Sequence, residues 1–199
     1  MHTGMLIAFA LTLAAGQTVA DVRQLYDAGR YQDVVKATDQ ATTESDRATR
    51  LQYLSAQSYA KLNDADGARR AYQRLADSGA SPWASIGQSA LRLIDKQLDE
   101  SLESANQAVQ AGDSLPEAHY QRGVVLMARR EYGDAAAAFT KAAQLDPGFA
   151  AAHYYAGLAN YREKRIDLMT KSFETFVRLA PNAPERPEVE SILRTVRGR

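Results

Sequence analysis

Cysteine is absent from the 199 residues, which removes disulfides, zinc fingers and thiol nucleophiles from consideration. Charge of one sign is not in excess: 24 Lys and Arg face 24 Asp and Glu, for a formal net charge of zero. Such a chain lacks the electrostatic footprint of a general nucleic-acid binder, so nucleic acid is not expected as a partner. Strand-like alternation of β-branched and aromatic residues nowhere extends beyond a few positions. No G-x-S-x-G, P-loop, H-E-x-x-H or G-x-G-x-x-G occurs, and of the three histidines His2 falls in an apolar leader. The chain is therefore read as non-enzymatic and without a cofactor. The longest apolar run, Met5 to Ala15, is interrupted only by Thr12; it is shorter than the roughly 20 residues a transmembrane helix needs.

That run fits instead the apolar core of a secretory signal over residues 1–20, with small residues allowing cleavage after Gly16 or Ala20. Met1 to Gly4 carry no Lys or Arg, so an uncleaved apolar N-terminus that anchors or packs is the alternative. Export makes the mature chain periplasmic or secreted, with no stable membrane insertion. Retention leaves it cytoplasmic or membrane-tethered.

The rest is rich in the helix formers Ala, Gln, Arg, Leu and Glu, and an all-α protein is expected. Pro116 to Phe149 reads as two amphipathic helices broken at Glu131, and Ala150 to Ala183 repeats the plan. His119 and Tyr120 recur as His153 and Tyr154, Gly123 as Gly157, Phe139 as Phe173, Leu145 as Leu179, and Pro147 as Pro181, each 34 positions on. Earlier segments follow the same plan more loosely. Repeat starts fall near 15, 49, 82, 116 and 150. Asp66 is a candidate N-cap for the helix that runs to Asp77, and Pro82 a first-turn proline. A proline-punctuated link over 182–187 leads to a last helix, Glu188 to Val196. Residues 21–181 are thus one domain of stacked helix pairs, and residues 182–199 the link and a capping helix.

A 34-residue period with a small residue eighth, then Ala, Phe and Pro downstream, resembles the tetratricopeptide repeat. Gly123, Ala135, Phe139, Ala142 and Pro147 match in one repeat, and Gly157, Phe173 and Pro181 in the next. Ala56, Ala68 and Tyr72 match in the repeat starting at 49. In the one starting at 82, Ala108 matches while Ser89, Ser101 and Ala105 depart. The resemblance implies a right-handed α-solenoid of about five helix-turn-helix units. Small residues there let helices approach, and the Phe fills the gap between pairs.

It also implies that the first helix of each pair lines a concave surface and points its second, fifth, ninth and twelfth positions inward. On that basis the groove residues are Tyr53, Ile86, Tyr120, Val124, Met127, Tyr154, Leu158 and Tyr161. They form an apolar, tyrosine-rich strip suited to a peptide or partner helix. Packing of the same tyrosines against neighbouring helices is the alternative for each. The positions at which some relatives grip a C-terminal carboxylate with Lys, Asn and Arg hold Tyr120, Val124, Tyr154 and Leu158 here, which argues against such a clamp.

His119 and His153 lie at equivalent positions on consecutive first helices, but no further ligands are patterned beside them; they read as replacements for the tryptophan of the family pattern, not as metal ligands. Trp83 is a groove residue or a packing wedge. The expected function is a scaffold or assembly factor that binds a protein or peptide. A module that self-assembles through its ends or convex faces is the alternative, and the oligomeric state is open.

Overall fold

A computed structural model describes residues 18–38, 46–79 and 81–198. Those residues form eleven α-helices and no strand. In chain order they are α1 (Val19–Asp27), α2 (Tyr31–Thr38), α3 (Asp46–Lys61), α4 (Ala65–Ala76), α5 (Pro82–Ile94), α6 (Leu98–Ala111), α7 (Pro116–Ala128), α8 (Tyr132–Leu145), α9 (Ala150–Arg162), α10 (Ile166–Leu179) and α11 (Arg186–Arg197). Consecutive helices pack as antiparallel pairs, and each pair packs on the next, giving the right-handed solenoid. The leader up to Gln17, with the candidate cleavage point after Gly16, lies outside the described residues; the other candidate point, after Ala20, falls within α1.

The helix ends follow local chemistry. Thr18 caps α1 through a reciprocal box with Asp21, and Ser81 precedes the first-turn Pro82 of α5. Asp64, not Asp66, caps α4: its carboxylate accepts from the Gly67 amide at 2.8 Å, and Asp66 falls inside the first turn.

The repeat is most regular in the backbone turn that joins the helices of a pair. Gly29, Asn63, Lys96, Arg130 and Lys164 all adopt positive φ, between 58° and 72°. Each occupies the fifteenth position of its repeat. The amide of each bonds back to a carbonyl three residues before, and the next amide reaches one residue further. Arg130 donates to Met127 and Glu131 to Leu126, for example, as Lys164 does to Tyr161 and Arg165 to Asn160. This is the left-handed helix stop that satisfies terminal carbonyls. It recurs in all five pairs, including the first, whose side-chain pattern is weakest.

Close approach within a pair is set where a side chain would intrude. A Cβ on Gly123 would lie 2.7 Å from the Phe139 ring, and one on Gly157 2.4 Å from the Phe173 ring. In the pair starting at 82, Ser89 and Ser101 stand in place of the small residues. They close a buried polar knot instead: the Ser101 hydroxyl donates to the Ser89 carbonyl at 2.8 Å, and the Gln121 amide donates to Ser89 Oγ at 3.2 Å. The departures from the pattern are thus hydrogen-bonded.

The main core runs from α3 through α9, with Tyr53, Leu75, Ile86 and Phe139 fully enclosed. A second cluster joins Met169, Phe173 and Phe176 to Val189 and Leu193 of α11, so α11 covers the open face of the last pair. A third joins Val22, Tyr26 and Val34 of the first pair to Leu51 and Leu54 of α3.

Candidate functional site

The inner face is built by the first helices α3, α5, α7 and α9, and the first pair of the chain folds across it. Arg23 of α1 is the centre of that contact. Its guanidinium pairs with Asp146, lies 3.5 Å from Glu117 at the start of α7, and stands 5.0 Å above the Phe149 ring. Arg50 of α3 reaches the same Glu117 carboxylate at 3.5 Å. One turn on from Arg23, Tyr26 is buried among residues of α3, α4, α7 and α9. At the far side Lys61 donates to Glu185 at 2.7 Å, and Gly29 meets the Pro184 ring so closely that a Cβ there would lie 2.5 Å from it. The first pair is thereby fixed both to the groove wall and to the link before α11.

The electrostatics around α1 are those of charges withdrawn from water. Burial pushes Asp27 up to about 7, against the opposing attraction of Arg23 and with reinforcement from Asp146 and Glu185. Burial also raises Glu117, with Arg50 and Arg23 pulling it back. Among the described residues, Arg23 Nε, Arg50 Nε, the Tyr53 hydroxyl, Gln57 Oε1 and Glu117 Oε2 are buried without a hydrogen-bond partner. The polar layer under α1 is therefore incompletely satisfied, which makes this one of the costlier contacts in the fold.

Beside α1 the groove stays open as a cavity of about 540 Å³. Ala60, Ala68, Leu93, Ile94 and Val124 give it apolar walls; Gln57, Lys61, Asn63 and Gln121 supply polar atoms, and Tyr120 and Tyr155 close one end.

The residues expected to line the groove divide into two sets. Tyr53, Ile86 and Tyr120 are 1%, 0% and 3% exposed. Tyr53 is held between Tyr72 and Trp83, and Tyr120 among Phe139, Phe149 and Tyr155. Tyr53 and Ile86 are core residues in this structure, and of the three only Tyr120 borders the open cavity. Trp83 is the packing wedge of the two roles expected for it, 5.9 Å from Tyr53. Val124, Met127, Tyr154 and Leu158 are half-buried, and Tyr161 is 46% exposed. Val124 borders the cavity; Tyr154 lies beyond it, against Phe176 and Tyr155. The groove residues that sequence reasoning missed are Arg23, Gln57, Gln121 and Tyr155. Tyr155 follows the fifth position by one residue, and nothing in the period marks it.

His119 and His153 share one role. The Nε2 of each bonds a loop carbonyl six residues earlier, Asp113 at 2.8 Å and Pro147 at 3.2 Å. Each ties the opening turn of its helix to the preceding loop. No group of three or more His, Asp or Glu able to hold a metal occurs among the described residues. No helix among them is long and apolar enough to cross a membrane.

Residues 116–149 match the family model for the tetratricopeptide repeat. No curated protein matches the chain. Solved structures do. TTC0263, a thermophilic tetratricopeptide repeat protein of Thermus thermophilus, superposes with a TM-score of 0.62 at 17% identity, over 89% of this chain and 95% of that one. YrrB, described as having an unusual peptide-binding site, gives 0.53 at 16% identity over 87% and 90%. The first repeat domain of Spaghetti (RPAP3), bound to an HSP90 peptide, gives 0.55 at 16% identity over 59% and 91%. At such identities the likeness is one of fold. Residues 116–149 thus match the tetratricopeptide repeat, and the described chain as a whole has the fold of tetratricopeptide repeat proteins, helix pairs stacked into a solenoid.

Proposed function

We propose that the chain is a non-catalytic interaction scaffold that holds a peptide or helix of a partner protein in its concave groove. The observation that carries this reading is α1. A helix of the chain itself already lies in the groove with Arg23 and Tyr26 inserted, and it leaves about 540 Å³ of largely apolar lining open beside it. An inserted apolar side chain of a partner would gain burial there, while Gln57 Oε1, still unpartnered, offers an acceptor to a partner amide. Two solved structures of the same fold are described as having a peptide-binding site or a bound peptide, which supports the reading. The Met5 to Ala15 run supports a periplasmic or secreted setting for it.

The test is a selection of displayed random peptides on the purified protein, followed by titration of the recovered sequences. Ala60→Trp should fill the cavity from an exposed position and Val124→Glu should charge its wall. Both variants should lose binding while keeping the helical circular dichroism of the parent. Peptides that bind parent and variants equally would place the interaction elsewhere.

A further inference from the structure

The outer face carries a second cleft, remote from the groove. It lies between the second helices α8 and α10, with α9 as its floor, and measures about 510 Å³. Gly133, Ala136 and Ala137 make a low wall on the α8 side, and Leu168, 53% exposed, stands on the α10 side. Lys141, Arg165 and Lys171 line the cleft together with the half-buried His153, and no carboxylate does. Arg165 has one loose partner at the rim, Glu163 at 3.7 Å.

The repeat shows that stacking does not demand this composition. Thirty-four positions before Arg165 and Leu168 stand Glu131 and Asp134. The preceding pair thus carries two carboxylates where the last carries a cation and an exposed leucine. In a chain of zero net charge, this is a local concentration of one sign joined to an apolar contact. The floor departs from the pattern too. Asn160 occupies the position of Leu126 one repeat earlier and is only 2% exposed. Its Nδ2 donates to the Ala156 carbonyl at 2.9 Å, and its Oδ1 has no partner among the described residues. A buried amide in place of leucine costs stability unless its remaining acceptor is used.

We propose that this cleft is a second docking site, for an acidic extended segment of a partner protein. The segment's carboxylates pair with Lys141, Arg165 and Lys171. An apolar side chain packs between Leu168 and the α8 alanines, and a backbone N–H reaches Asn160 Oδ1. The site does not depend on the concave groove, so one chain can hold two partners on opposite faces.

The probe is a fluorescein-labelled peptide of repeating Glu-Glu-Leu triplets, with its Gln-Gln-Leu counterpart as control, titrated into the full chain by anisotropy. The acidic peptide should bind and weaken as salt is raised; the amide peptide should not bind. Lys141→Glu with Lys171→Glu should weaken it about tenfold or more. Asn160→Leu should raise the melting temperature yet weaken the peptide, which a merely structural amide would not do, and Val124→Glu in the groove should leave affinity unchanged. Equal affinity for both peptides, survival of binding in the charge-reversed variant, or displacement of the peptide by anionic phospholipid vesicles would overturn the proposal.

Discussion

Lys61 and Glu185 are 124 residues apart, and the ammonium of one donates to the carboxylate of the other at 2.7 Å. One sits at the end of α3, the other just ahead of α11, and Tyr31 of the first pair borders the same small pocket. The pair therefore ties α3, against which the first pair packs, to the link before α11. Both side chains are partly buried, so the bond escapes most of the solvent screening that makes surface pairs weak. Lys61→Met should reduce amide protection in α1 and α2 and in residues 182–186 by about 1–2 kcal/mol, leaving α7 and α8 unchanged. Hydrogen exchange read by mass spectrometry checks it. Uniform loss of protection along the chain would show that the contact supports the whole stack instead.

Asp27 gives that same contact a pH dependence. Its carboxyl sits at about 7 when α1 is docked, through burial, and in the ordinary carboxylate range when α1 is released. Docking therefore binds a proton. The contact is strongest below the ordinary range and weakens as pH rises through 7. After correction for intrinsic exchange rates, protection of Val19–Thr38 should be greater at about pH 6 than at about pH 8. Asp27→Asn should flatten the difference, and an unchanged slope in that variant would assign the effect to another group.

How much of this was legible depended on whether the signal was local. The 34-residue period, the stacking glycines at 123 and 157, and the capping helix are written in nearby side chains, and the fold followed from them. The left-handed turns at Lys96, Arg130 and Lys164 were not, because backbone hydrogen bonds hold them and nearly any unbranched residue fits. The groove was legible only in part. Tyr53, Ile86 and Tyr120 occupy the inward positions of the repeat, but Trp83, Phe149 and Tyr155 pack over them. That the first pair returns to cross the groove rests on contacts such as Arg23 with Glu117, 94 residues away, for which no local pattern exists.

The turn residues make a prediction of their own. A left-handed backbone costs a residue with a Cβ about 1–2 kcal/mol, and glycine escapes that cost. Lys96 and Lys164 are exposed and hold φ near 60°. Lys96→Gly and Lys164→Gly should each stabilise the chain by up to about 1 kcal/mol against urea, less whatever glycine's extra freedom in the unfolded chain takes back. Lys164→Val should destabilise it. If glycine is neutral at both sites and valine is tolerated, the turns are not under strain.

Gly87 tests the packing of the less regular pairs, where the period speaks least. A Cβ there would lie 2.5 Å from the Ala76 amide nitrogen and 2.7 Å from the Tyr72 carbonyl oxygen. Both are backbone atoms of α4, which cannot rotate aside as a side chain can. Gly87→Ala must therefore push α4 and α5 apart, at a cost of about 1–3 kcal/mol, outweighing alanine's better helix propensity. Gly133 is the control: it too is helical, but the nearest atoms to its Cβ are 3.7 Å away. Gly133→Ala should be neutral or stabilising by about 0.5–1 kcal/mol. Thermal melts of the two variants should shift in opposite directions, and a Gly87→Ala protein as stable as the parent would mean that α4 and α5 do not pack at this separation.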